Sequence, residues 1–88
     1  MYLHIGENYM INKKDIVMIG NYESAISSEI CKEFFSMAEE EGFILDYSKG
    51  KARSFILTDE KIYLSLISSN TLGKRMKAKD GGLQYAGK

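Results

Sequence analysis

The fold turns on residues 43–67: Phe43-Ile44-Leu45-Asp46-Tyr47-Ser48-Lys49-Gly50-Lys51-Ala52-Arg53-Ser54-Phe55-Ile56-Leu57-Thr58-Asp59-Glu60-Lys61-Ile62-Tyr63-Leu64-Ser65-Leu66-Ile67. Phe43, Leu45 and Tyr47 alternate with Ile44 and Asp46, the period of two that a pleated strand imposes. Ser48-Lys49-Gly50 has the composition of a tight turn. A second strand over Lys51–Thr58 places Lys51, Arg53, Phe55 and Leu57 on one face, and Ala52, Ser54, Ile56 and Thr58 on the other. Asp59-Glu60 is a short hairpin turn, and Lys61–Ile67 reads as a third strand. Three strands joined by tight turns predict an antiparallel meander, one face of which a helix can cover.

That helix is expected upstream, over Ala25–Glu41. Ser24 is its expected N-cap, since a hydroxyl there accepts from the free amides of the first turn. Ile26, Ile30, Phe34, Met37 and Ala38 recur at helical spacing and form the expected core stripe. Gly42 suits the left-handed position that closes a helix. Glu39-Glu40-Glu41 sits against the negative end of the helix dipole, either as a solvated face or as a surface for a basic partner. Further upstream, Tyr2–Ile5 and Tyr9–Ile11 predict a hairpin around Glu7-Asn8. Asn12–Asp15 is a polar turn, and Ile16–Ile19 is a β-branched strand. Downstream, Ser69 is read as the cap of a short helix with Leu72 and Met76 facing inward. From Lys77 onward the chain is polar and Gly-rich and reads as a frayed tail. The expected fold is α+β, in the order β-β-β-α-β-β-β-α, with one domain over residues 1–76 and a tail over 77–88.

The chain has 88 residues, 44% hydrophobic and 27% charged, with one Cys and one His. That length suits one small domain, and a core of this size makes self-association a reasonable source of stability. A single Cys excludes a disulfide framework within the chain, and with one His it leaves no structural zinc site. No run reaches the length of a membrane helix, and Met1–Gly6 lacks the features of a secretion signal, so the expected location is the cytoplasm. His4 lies in a strand with no nucleophile motif beside it and reads as structural. Cys31, between Ile30 and Phe34, reads as a small buried hydrophobe. Neither Gly81-Gly82 nor Lys49-Gly50-Lys51 matches a phosphate-binding loop, and the acidic residues lack metal-ligand spacing. No enzyme, metal or cofactor is expected.

The net charge of zero conceals a division. Residues 1–48 hold three basic side chains and nine acidic ones, a balance of −6, whereas residues 49–88 hold nine basic and three acidic, a balance of +6. Such asymmetry suggests an anionic partner, although the halves could instead neutralise each other within the fold or across a subunit contact. Lys49, Lys51 and Arg53 gather at the expected tip of residues 48–53, suited to phosphate contacts. Lys74, Arg75, Lys77 and Lys79 form a second group, and Lys13-Lys14 a third. On one copy these are ordinary solvated turns. Repeated around an oligomer, weak patches gain avidity without new contacts.

Three stretches carry a resemblance: Tyr2-Leu3-His4-Ile5-Gly6-Glu7-Asn8 with Lys14-Asp15-Ile16, residues 48–59 from Ser48 to Asp59, and residues 62–75 from Ile62 to Arg75. Together they resemble the RemA/RemB family of bacterial extracellular-matrix regulators over residues 1–76, and sit closer to its RemB branch. The resemblance implies a small cytoplasmic protein acting in transcriptional control of biofilm-matrix genes. Its RemA branch implies a DNA-binding ring oligomer. The basic positions of that branch fall here on Lys14, Gly50 and Lys51, with Arg53 nearby. Lys replaces Arg at positions 14 and 51, Gly50 carries no charge although Lys49 adjoins it, and Ala25 replaces Pro. Lysine supplies a point charge in place of the fork that reads guanine, so the implied contacts are to phosphates.

Two readings follow. In the first, the chain is a non-enzymatic homo-oligomer, in some arrangement such as a ring, that binds duplex DNA through Lys13, Lys14, Lys49, Lys51 and Arg53. In the second it is an assembly or adaptor protein that binds a protein partner without nucleic acid, its basic half meeting the acidic helix end of a neighbour.

Overall fold

The computed structural model describes residues 1–78. Its elements are β1 (Tyr2–Gly6), β2 (Tyr9–Asn12), a 3-10 turn (Lys13–Asp15), β3 (Ile16–Asn21), α1 (Tyr22–Ile26), α2 (Glu29–Glu40), β4 (Ile44–Asp46), β5 (Ser54–Thr58), β6 (Ile62–Ser65) and α3 (Ser69–Lys77). The fold is α+β with antiparallel pairing predominant, as the sequence predicts. Lys77 still belongs to α3 and Ala78 follows it. The rest of the expected tail, residues 79–88, lies outside the described residues.

The first hairpin forms as its turn chemistry requires. Glu7 and Asn8 both adopt positive φ, 51° and 61°, the geometry that matches the twist of two antiparallel strands. Leu3 pairs with Ile11 and His4 with Met10, so Leu3, Ile5 and Ile11 turn inward while Tyr2, His4 and Met10 face out. β3, β5, β6 and β4 make a second sheet in that order. Ile16 pairs with Thr58 and Met18 with Leu57, which leaves Val17 as the extra residue of a bulge.

The meander expected over residues 43–67 does not form. β5 and β6 pair antiparallel around Asp59-Glu60, as predicted, but β4 lies on the far side of β6 and runs parallel to it. Alternation tells which face of a strand is buried, not which neighbour it takes. The segment from Tyr47 to Arg53 is therefore a loop crossing the end of β6, and Lys51 and Arg53 precede β5 instead of lying on one of its faces.

The single long helix is also divided. α1 is capped by Asn21, whose side chain accepts from the Ser24 amide at 2.9 Å, not by Ser24 itself. Ser28 is extended, and its hydroxyl accepts from the Cys31 amide to start α2. The Ser27 hydroxyl donates to the Ser24 carbonyl at 2.6 Å. Adjacent serines offer the backbone local partners that compete with a continuous helix. The break resets the rotation of α2, so that Phe35 and Ala38 are buried, whereas Ile30, Phe34 and Met37 of the expected stripe are exposed. Cys31 is exposed as well, contrary to expectation. Gly42 closes α2 with a φ of +79°, as expected. Ser68, one residue before the expected cap, starts α3 by accepting from the Thr71 amide at 3.2 Å, and Leu72 is fully buried.

Two cores flank the four-stranded sheet. Phe55, Ile62 and Leu64 pack with Phe35 and Ala38 on the α1–α2 side. Ile56 packs with Leu3, Ile5, Ile11 and Leu72 on the side covered by the first hairpin and α3. Tyr9, Tyr47 and Tyr63 stack on that second side, with ring centroids 4.5 Å apart for Tyr9–Tyr47 and 5.5 Å for Tyr9–Tyr63. Gly20 faces Phe55 so closely that a Cβ there would overlap the ring.

Candidate nucleic-acid interface

The basic loop between β4 and β5 is built from Asp46 outward. The Asp46 carboxylate accepts from the Ser48 amide at 2.7 Å, the Gly50 amide at 3.1 Å and the Ser48 hydroxyl. Burial alone raises the pKa of this carboxyl, but those donors outweigh it and hold the group below the ordinary carboxylate range. With the turn so fixed, Lys49 and Gly50 both adopt left-handed backbone, at φ of 57° and 81°. The Lys51 amide then returns to the Ser48 carbonyl at 3.1 Å.

Below the loop lies a fixed base. The Tyr47 amide donates to the Leu64 carbonyl at 2.9 Å and the Arg53 amide to the Ser65 carbonyl at 2.8 Å, so the loop grips β6 on both sides. Ser48, Ser54 and Ser65 are fully buried. The Ser54 hydroxyl donates to the Ile67 carbonyl at 2.7 Å, and the Ser65 hydroxyl donates to the Ile5 carbonyl at 2.6 Å. Each hydroxyl therefore has a partner, without which its burial would be costly. Lys49, Lys51 and Arg53 are exposed above this base.

Other charges share the surroundings. Lys49 Nζ lies 3.5 Å from a carboxylate oxygen of Glu7, joining the loop to the turn of the first hairpin. Both side chains are well exposed, so the pair orients more than it stabilises. Lys51 and Arg53 line a groove of about 430 Å³ with Asn21, Tyr22 and Glu23 at the start of α1. The Tyr22 amide donates to the Arg53 carbonyl at 3.1 Å, fixing one wall of that groove to the other.

The sequence-predicted basic residues do not all converge. Lys13 and Lys14 precede β3, whereas Arg53 adjoins its far end, where Asn21 pairs with Ser54. Six strand residues lie between, about 20 Å at the rise of a β-strand. Lys14 is exposed, and Lys13 Nζ donates to the Ala78 carbonyl at 3.1 Å. One subunit thus presents two separated basic groups, and Lys74, Arg75 and Lys77 in the last turn of α3 adjoin the second of them through the Lys13–Ala78 contact. Arg75 Nη1 is bound to the His4 carbonyl at 3.0 Å, and the His4 side chain faces outward. Among the described residues no His, Cys, Asp and Glu form a cluster able to hold a metal ion. No described helix is long and apolar enough to cross a membrane. Reading the sequence for charge missed Asp46, Ser65 and Glu7. The signal for Asp46 was nevertheless present, as an Asp followed by Ser and then Gly at the spacing of a side chain capping its own turn.

Comparison with known proteins places this scaffold. The sequence pattern of a family described as RemA-like, extracellular matrix regulatory protein A-like, matches residues 2–76. The chain belongs to the RemA-like family. Extracellular matrix regulatory protein B of Bacillus subtilis (strain 168) is 32% identical to it over 75 residues, which cover 85% of this chain and 89% of that protein. The resemblance read from residues 2–8, 48–59 and 62–75 is therefore borne out. For a RemA-like chain the matched span has structural sense: it runs from β1 into the last turn of α3 and contains every element of both cores.

Proposed function

We propose that this RemA-like chain is a non-enzymatic, oligomeric regulator of matrix genes that acts in the cytoplasm by binding duplex DNA through its phosphate backbone. Lys49, Lys51 and Arg53 form one contact group and Lys14, with Lys13, a second. The observation that carries the reading is the exposed Lys49–Arg53 loop, hydrogen-bonded to Asp46 above a serine base whose hydroxyls all have partners, in a chain whose relative is named an extracellular matrix regulatory protein. Self-association joins the reading because one subunit holds its two contact groups about a strand length apart, and weak groups multiplied on an assembly bind with greater avidity.

The test is a gel shift with duplex DNA at low salt, comparing the natural chain with Lys51→Glu/Arg53→Glu. Both residues are exposed, so the double variant is expected to keep its fold and its assembled mass while losing the shift. Retention of full binding by the variant removes this loop from the interface. No shift by the assembled natural chain at low salt turns the reading to its rival, an assembly or adaptor protein, which the exposed acidic end of α2 would then serve.

A further inference from the structure

The groove between the β4–β5 loop and the start of α1 collects groups that contacts to a phosphate backbone leave unused. Its volume, about 430 Å³, falls within the roughly 300–1,000 Å³ of small-ligand sites. Lys51 and Arg53 line one wall, and Asn21, Tyr22 and Glu23 the other. The walls are tied by the Tyr22 amide, which donates to the Arg53 carbonyl at 3.1 Å, and by the strand pairing of Asn21 with Ser54. Lys49 pairs with Glu7, but the side chains of Lys51 and Arg53 have no ion pair or hydrogen bond with a described residue, although Glu23 lines the same groove. The Asn21 side-chain oxygen accepts from the Ser24 amide at 2.9 Å, which leaves its amino group without a described partner. Tyr22 is half-buried, its ring set edge-to-face against Phe35 with centroids 5.5 Å apart.

Two unpaired cations, a fixed aromatic ring, an amino donor and a carboxylate match the parts of a nucleotide. We infer that this groove binds a nucleoside phosphate, with its phosphate on Lys51 and Arg53, its base against Tyr22 and the edge of that base on Asn21 and Glu23. The guanidinium of Arg53 can meet two phosphate oxygens at once. An aromatic ring accepts the flat face of any base. Glu23 separates this groove from a plain phosphate site, because a carboxylate beside an anion is favourable only where the ligand also brings N–H donors. Guanine brings two adjacent ones on its pairing edge, N1–H and N2–H, which suit the two carboxylate oxygens, so guanosine monophosphate is the preferred member. In duplex DNA the partner base occupies that edge. The groove therefore takes a free nucleotide, or an unstacked nucleotide of a single strand. The inference shares Lys51 and Arg53 with the proposed DNA contact and goes beyond it: a bound nucleotide occupies those cations and competes with duplex DNA.

Magnetic resonance titration of the full, isotope-labelled chain with guanosine monophosphate tests it. The amide signals of Tyr22, Glu23, Lys51 and Arg53 should move together and saturate. Inorganic phosphate alone and guanosine alone should each bind roughly tenfold more weakly, since each supplies only part of the contacts. Arg53→Gln should weaken the nucleotide roughly tenfold, and Glu23→Gln should narrow the preference for guanosine over uridine monophosphate. Both residues are exposed, so both variants are expected to keep the fold. A short single strand containing one guanine separates the two sources: movement of the same signals by the strand but not by the free nucleotide assigns the groove to an unstacked base. Saturating nucleotide should weaken the gel shift of duplex DNA, and a shift that is unaffected contradicts competition for Lys51 and Arg53. Groove signals that respond to neither ligand, or inorganic phosphate that binds as tightly as the nucleotide, overturn the inference. If duplex DNA is still shifted in that case, the proposed function stands without it. A chain that binds the nucleotide and no duplex DNA supports the groove and fails the proposed function alone.

Discussion

Asp46 shows how one side chain can set the presentation of several others. Its carboxylate organises the turn that carries Lys49 and Gly50, without itself facing any partner. Asp46→Ala should cost about 1 kcal/mol, the worth of a typical net hydrogen bond, or a fall of roughly 4–8 °C in Tm for a domain of this size. It should also weaken DNA binding, because Lys49 and Lys51 lose their fixed placement. Thermal melts and the same gel shift measure both effects. The pKa of Asp46 is lowered in the folded chain, so its contribution is present above the ordinary carboxylate pKa and is lost as pH falls through the depressed value. Gly20 is the second case. Because a Cβ there would meet the Phe55 ring, Gly20→Ala should destabilise by about 1–3 kcal/mol, the usual cost of overpacking, readable by chemical denaturation. A melt unchanged by Gly20→Ala would mean that Phe55 can move aside, and that the packing at the end of β3 is looser than described.

At the scale of elements, local chemistry was legible and long-range pairing was not. The Glu7-Asn8 turn, the Asp59-Glu60 turn, the closing Gly42 and the buried Leu72 follow from short-range signals that need only a few neighbours. The position of β4 beside β6 does not, since Ile44 and Leu45 would satisfy either neighbour equally. The break between α1 and α2 was visible only as two serines, each a weak signal against a strong helical period. For the candidate site, the charges were legible as a cluster, but the loop that carries them was mistaken for a hairpin tip because the crossing over β6 depends on β4. The tyrosine stack is likewise a product of the fold, joining β2, the β4–β5 loop and β6. Burial, with hydrogen bonding and charge from Tyr9, pushes the Tyr63 phenol from the ordinary 10 up to about 12. The folded chain thus keeps this phenol neutral where the unfolded chain ionises it. Its contribution to stability should be complete below pH 10 and drain away as pH rises towards 12. Tyr63→Phe should remove the most alkaline step in the ultraviolet titration of the phenols, and a titration unchanged by it would place that step on another tyrosine.

For the whole molecule, the zero net charge is less informative than where the charges stand. Glu41, Asp59 and Glu60 border a groove between α2 and the β5–β6 turn, while basic side chains gather on the β4–β5 loop, the 3-10 turn and the end of α3. Those basic groups suit a subunit that meets a polyanion. Fluorescence titration of the assembled chain with duplex DNA at two salt concentrations measures the central claim most directly. Phosphate binding releases condensed counterions, so affinity should fall steeply with salt, by roughly 0.9 in the logarithmic slope for each phosphate neutralised. With Lys51→Glu/Arg53→Glu the slope should shrink or binding should vanish. Absence of DNA affinity at the lower salt concentration, in a sample whose mass is confirmed as assembled, would contradict the account.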